Sequence, residues 1–170
     1  RAAYMVSLLE MGGLPVEADD SVRQVVQAMD AEGEPCPEPI YGMLRPYQKR
    51  GFMWMQALDR LRMGGVLADD MGLGKTVQAL ACLAATQELP ALLVVPPHLV
   101  RNWQAETARF LRIDGSEPRV HVIKGLKPKT LPEADIYIMH YLLLRGWKEV
   151  LPTLGFRAVI FDEVQELRHT

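Results

Sequence analysis

A chain of 170 residues with 49% hydrophobic and 24% charged side chains has enough apolar surface for one globular core, which excludes a disordered tail. Its longest apolar run, 91–97, falls far short of the ~20 residues that cross a bilayer, and no signal segment opens the chain. A net charge of −2 argues against a simple basic nucleic-acid binder, yet residues 1–39 carry −6 and residues 40–170 carry +4. Residues 101–129 hold seven basic against three acidic side chains, a surplus that reads either as a solvated face or as part of a nucleic-acid surface. In chain order, weak helical patterns at 2–11 and 21–29 flank the breaker Gly12-Gly13-Leu14-Pro15. EGEPCPEP at 32–39, with three prolines, then marks a boundary, so residues 1–39 are expected to be the end of an upstream segment plus a linker. Beyond it helices are expected at 47–63, 75–87, 99–111 and 142–151. Strands are expected at 66–68, 91–95, 119–123, 135–139 and 157–162. Strands alternating with helices predict an α/β fold with a mainly parallel sheet and helices on both faces.

The segment ADDMGLGKT at 68–76 runs from an apolar strand into a helix, the context of a phosphate-binding loop. Asp69 stands where the general pattern has its first glycine, but the working parts are present. Gly72 and Gly74 let backbone N–H groups turn toward phosphate oxygens, and the helix starting at Lys75 points its positive end at the same place. Lys75 reaches the β- and γ-phosphates of ATP, and the Thr76 hydroxyl holds Mg²⁺. VIFDE at 159–163 brings Asp162 and Glu163 to the carboxyl end of a buried strand, the edge where ligands bind in parallel sheets. Asp162 is then the second Mg²⁺ ligand and Glu163 the group that polarises water. The competing readings are a glycine turn that happens to contain a lysine, and an exposed acidic turn.

DDMGLGKT, followed by VVPPHLVRNW and a DExx box, resembles the Swi/Snf-type DNA-translocating ATPases of helicase superfamily two over residues 40–170. The resemblance implies a three-layer RecA-like fold, truncated after the acidic-box strand, as the first part of the N-terminal of two lobes. It implies that LRPYQKRGFMWM at 44–55 supplies Gln48 to adenine, with Asp70, Met71, Gly72, Leu73, Gly74, Lys75 and Thr76 around the phosphates. It places Pro97, Arg101, Asn102 and Trp103, and then His140 and Tyr141, beside nucleic acid. His140 stands where the family has Thr or Ser, and Gln165 stands where its acidic box usually has His, which bears on coupling toward the DNA side. Trp54 and Trp147 read as core residues, while Trp103 is open between stacking and core. His169 reads as solvated, and the nine methionines as core filler or loop residues.

Arg1 in place of an initiating methionine, and polar residues directly after the last strand, lead to the expectation of a piece of a longer protein. The resemblance implies that a second lobe, absent here, supplies the transition-state arginines. The expected function is therefore that of the ATP-binding part of a DNA-dependent ATPase that moves on double-stranded DNA or remodels a protein–DNA complex. The piece alone is expected to bind nucleotide weakly at best. A strand-separating helicase and a nucleotide-dependent binding module without turnover are the alternatives. Cys36 and Cys82 form no CxxC pair, which fits a reduced intracellular setting: cytoplasm or nucleoid in a bacterium, nucleus in a eukaryote.

Overall fold

The computed structural model describes residues 35–165. The expected helices at 2–11 and 21–29, and His169, lie outside the described residues. The run ALLVV forms β1 (Ala91–Val95), and every one of its residues is buried, as a strand covered on both faces requires. It pairs in parallel with β3 (Ile136–His140) on one side and β4 (Ala158–Phe161) on the other. β2 (Val120–Val122) pairs in parallel with β3, giving the order β2-β3-β1-β4. At the amino ends, the Arg119 guanidinium donates to both carboxylate oxygens of Asp135, at 2.8 and 3.2 Å, and fixes where β2 and β3 start. These hydrogen bonds hold the Asp135 carboxyl below its ordinary range.

Alternation along the strands builds two cores. Ala91, Leu93, Val95, Ile136 and Ile138 face Phe52, Leu80, Trp103 and Leu111. These four come from α2 (Pro46–Arg60), α3 (Lys75–Thr86), α4 (Val100–Phe110) and the residue after α4. Leu92, Val94, Tyr137 and Met139 face Leu143 and Trp147 on the opposite side. Those two belong to a 3₁₀ turn (Tyr141–Leu143) and the short α5 (Leu144–Trp147). The result is the expected three-layer α/β arrangement. Trp147 is fully buried, as the sequence indicated. Among the described residues no helix is long and apolar enough to cross a membrane.

Two expectations change. Residues 66–68 form no strand; Val66 is 74% exposed, and no strand among the described residues lies beyond β4 to offer it a ladder. The helix expected at 142–151 breaks into the 3₁₀ turn, the four-residue α5 and a second 3₁₀ turn (Leu151–Thr153). Gly146 lies hard against a loop, where a Cβ would sit 2.0 Å from the Leu126 carbonyl oxygen. The Trp147 indole N–H also donates to Gly125 O at 2.8 Å, so the segment is shaped by a loop it packs on. Cys36, in the proline-rich segment, is buried in the same cluster as Phe52, Leu44 and Ile40, the residue that opens α1 (Ile40–Met43). The packed body thus includes the end of the proline-rich segment.

Candidate nucleotide site and the basic edge beside it

The glycine loop rests on α2. Gln48 is buried in the first turn of that helix, and its Oε1 accepts from Arg45 N at 2.9 Å, which caps the helix start. Its Nε2 donates to Leu73 O at 2.9 Å, and Tyr47 OH donates to the same carbonyl at 3.1 Å. The amide keeps one N–H and one lone pair beyond these two bonds, which is the capacity needed to read an adenine edge. Gly74 is required twice over: its φ is 74°, and a Cβ would lie 2.4 Å from Gln48 Nε2. α3 then begins at Lys75 with no side chain capping its first amides, so those N–H groups are oriented for an anion. Lys75 Nζ folds back onto the carbonyls of Asp69 (2.8 Å) and Asp70 (3.2 Å), while Met71 is 85% exposed and Gly72 has open space around it.

Below this loop lies a residue that sequence reasoning passed over. Gln78 is fully buried in α3, and its Nε2 reaches Asp69 Oδ2 at 3.4 Å and Gly74 O at 3.5 Å. Its Oε1 has no partner and points at Gly51, where a Cβ would lie only 2.0 Å away. A glutamine one turn into the helix after a lysine-threonine pair was the available signal.

Asp162 sits one residue beyond β4, held by its N–H to Val94 O at 2.9 Å. Its Oδ2 accepts from the Trp103 indole at 2.8 Å, and its carbonyl accepts from the Tyr141 hydroxyl. Glu163 follows at φ 50°, a left-handed conformation that costs a side chain on the order of 1–3 kcal/mol, and the Gln165 amide donates to its carboxylate. Thr76 and the remaining Asp162 oxygen are hard oxygen donors that suit Mg²⁺. Among the described residues no cluster of three or more His, Cys, Asp or Glu could hold a metal.

The expected nucleic-acid residues divide. Pro97, Arg101 and Asn102 are exposed at the start of α4, and Asn102 donates to Glu106 at 3.3 Å. Trp103 and Tyr141 are each 2% exposed and turn their polar atoms to Asp162. The Trp103 ring is enclosed in one core cluster and the Tyr141 ring in the other, where it stacks on Phe161. A concavity of about 700 Å³ opens at the carboxyl ends of β2 and β3. Arg101, Gln104, His121, Lys124, Lys129 and His140 line it, with no carboxylate among its lining residues. Burial, then Lys129 and Lys124, push the His121 imidazole below its ordinary value. His121 Nε2 and His140 Nδ1 are buried without a hydrogen-bond partner.

A parallel sheet with a glycine loop and an Asp-Glu strand end defines the phosphate-loop class of α/β fold. Within that class, the SNF2-related domain matches residues 47–170, and the chain belongs to that family. The chain is 41% identical over 163 residues to the helicase SWR1 of Debaryomyces hansenii, covering 88% of this chain and 10% of that protein. It is 30% identical over 164 residues to the TATA-binding protein-associated factor mot1 of Aspergillus fumigatus, covering 82% of this chain and 8% of that one. The chain thus spans about a tenth of the curated relatives it matches. Among solved structures it resembles the Sulfolobus solfataricus SWI2/SNF2 ATPase core in complex with dsDNA. The TM-score is 0.61 and the identity 33%, over 72% of this chain and 26% of that one.

Proposed function

We propose that this chain is the ATP-binding part of a DNA-dependent ATPase that couples hydrolysis to movement on double-stranded DNA or to remodelling of a protein–DNA complex inside the cell. The observation that carries this reading is the uncapped start of α3 behind a lysine held by loop carbonyls, in a chain of the SNF2-related family. In this reading Lys75 leaves the Asp69 and Asp70 carbonyls for the β- and γ-phosphates, and the α3 amides take the phosphate oxygens. Gln48 uses its remaining N–H and lone pair on adenine. Thr76 and Asp162 would hold Mg²⁺, which when bound offsets charge building on the phosphates. Glu163 orients and polarises the attacking water, and its strained backbone fits a residue held for chemistry.

The basic concavity faces the phosphate backbone of duplex DNA in this account, with Arg101, Lys124 and Lys129 as cations. Val159 and Phe161 on β4 are 48% and 46% exposed, while β1 is wholly buried. That open apolar edge supports a lobe whose sheet continues in further chain, with a second lobe beyond it. The test is ATP turnover by the full-length protein with and without duplex DNA, alongside Glu163→Gln. Stimulation by DNA, and a kcat lower by about 10²–10⁴ in the variant, is the expected result. Equal rates with and without DNA, or an unaffected variant, would overturn the reading.

A further inference from the structure

Three separate elements grip Asp162. The β1 carbonyl of Val94 takes its N–H, the Trp103 indole in the first turn of α4 takes one carboxylate oxygen, and the Tyr141 hydroxyl after β3 takes its carbonyl. The two side-chain anchors are 59 and 21 residues from it in sequence, so neither is a local turn contact. Both are 2% exposed, and the Tyr141 ring stacks on Phe161, the residue before Asp162, with centroids 6.4 Å apart.

Each anchor is also a neighbour of the basic concavity. Val100, Arg101 and Gln104, from the turn of α4 that carries Trp103, line it, as does His140, the residue before Tyr141. A ligand in the concavity would therefore touch the two backbone segments that hold the acid. A hydrogen bond of 2.8 Å to an enclosed indole does not survive a shift of α4 by an ångström.

We propose that Trp103 and Tyr141 are positioning residues that orient the Asp162 carboxylate for Mg²⁺ and carry occupancy of the basic concavity to it. The proposal rests on the functional reading above and adds to it a physical link between the nucleic-acid face and the metal-holding acid. Groups that orient a metal-binding carboxylate typically matter about 10–100-fold in metal affinity.

The test uses Trp103→Phe and Tyr141→Phe in the full-length protein: both keep an aromatic ring and delete the donor, and the melting temperature of each variant reads the packing that Trp103→Phe also removes. The expected result is a Mg²⁺ half-saturation for ATP turnover raised about tenfold or more, and a smaller ratio of DNA-stimulated to basal rate at saturating Mg²⁺. A purely structural role would lower melting temperature and leave both readouts in place, and that outcome overturns the proposal. Should the wild type bind Mg·ATP and show no response to DNA, the functional reading fails instead, and the two cases are told apart by the wild-type control.

A second measurement works on the present chain. The Trp103 indole ¹H–¹⁵N resonance, identified by its loss in Trp103→Phe, is expected to move on Asp162→Asn and on titration with Mg·ATP. A resonance that stays in place in both, while that of backbone amides around Lys75 moves with nucleotide, would overturn the link.

Discussion

Gly51 and Gln78 occupy one space, and their pairing shows how little slack the loop support has. The Gln78 amide is fully buried and fills the gap that Gly51 leaves in α2, 2.0 Å from where a Cβ would be. Gly51→Ala is therefore expected to destabilise the fold by about 1–3 kcal/mol through overpacking. Gln78→Ala removes the obstructing amide, so adding Gly51→Ala on top of it should cost almost nothing. Denaturant unfolding of the two single variants and the double variant measures this coupling. Additive losses would show that the two do not compete for space. At this scale the sequence was legible where chemistry is local: Lys75, Thr76 and the glycines of the loop follow from a nine-residue pattern. Trp103 was not, because its partner lies 59 residues downstream and only the closed sheet brings them together. Gln78 was missed for the same reason, since its value depends on a glycine in another helix.

Among the elements, the loop after β2 is held from below rather than by its own pattern. Trp147 donates to Gly125 O at 2.8 Å, and Gly146 lets α5 approach the Leu126 carbonyl, which leaves Lys124 and Lys129 exposed at the rim of the concavity. Lys124→Ala with Lys129→Ala is expected to weaken duplex binding by the full-length protein to a similar degree for all sequences. The slope of log K against log salt should fall by about 0.9 for each phosphate that these lysines neutralise in the wild type. Fluorescence anisotropy across a salt series reads both, and an unchanged slope would remove these lysines from the DNA face. The apolar strand β1 and the helices α2, α3 and α4 were legible because each buries a face with the right period. The segment 142–151 was not, since its helical spacing of leucines is overridden by packing on the 124–129 loop. The expected strand at 66–68 failed because a strand exists only with a neighbour to pair with.

Over the whole molecule, buried and half-buried titratable groups bound the pH range of the fold. Burial pushes the Cys36 thiol up to about 11 and the Cys82 thiol up to about 12, against an ordinary value near ~8.5 in an unfolded chain. The folded state therefore keeps protons that the unfolded state releases, and this contribution is complete below about pH 8.5 and declines as pH rises toward 11 and 12. On the acid side the lowered His121 imidazole makes the unfolded state the better proton binder, so stability falls as pH drops through the ordinary value of 6.5. The lowered Asp135 carboxyl adds a further loss below its ordinary value of 3.8. Denaturation midpoints are expected to form a plateau between these limits, and a midpoint that rises above pH 9 would contradict the assignment of the thiols. The same interior packs α3 against the sheet whose β4 ends before Asp162, and the proposed function has the glycine loop and the Asp-Glu pair serve one nucleotide across it. The most direct test of that central claim is calorimetry of Mg·ATP binding to this chain and to its Lys75→Ala variant. Saturable binding that the substitution removes is the predicted result; equal binding by both proteins would show that the nucleotide site is not the loop before α3.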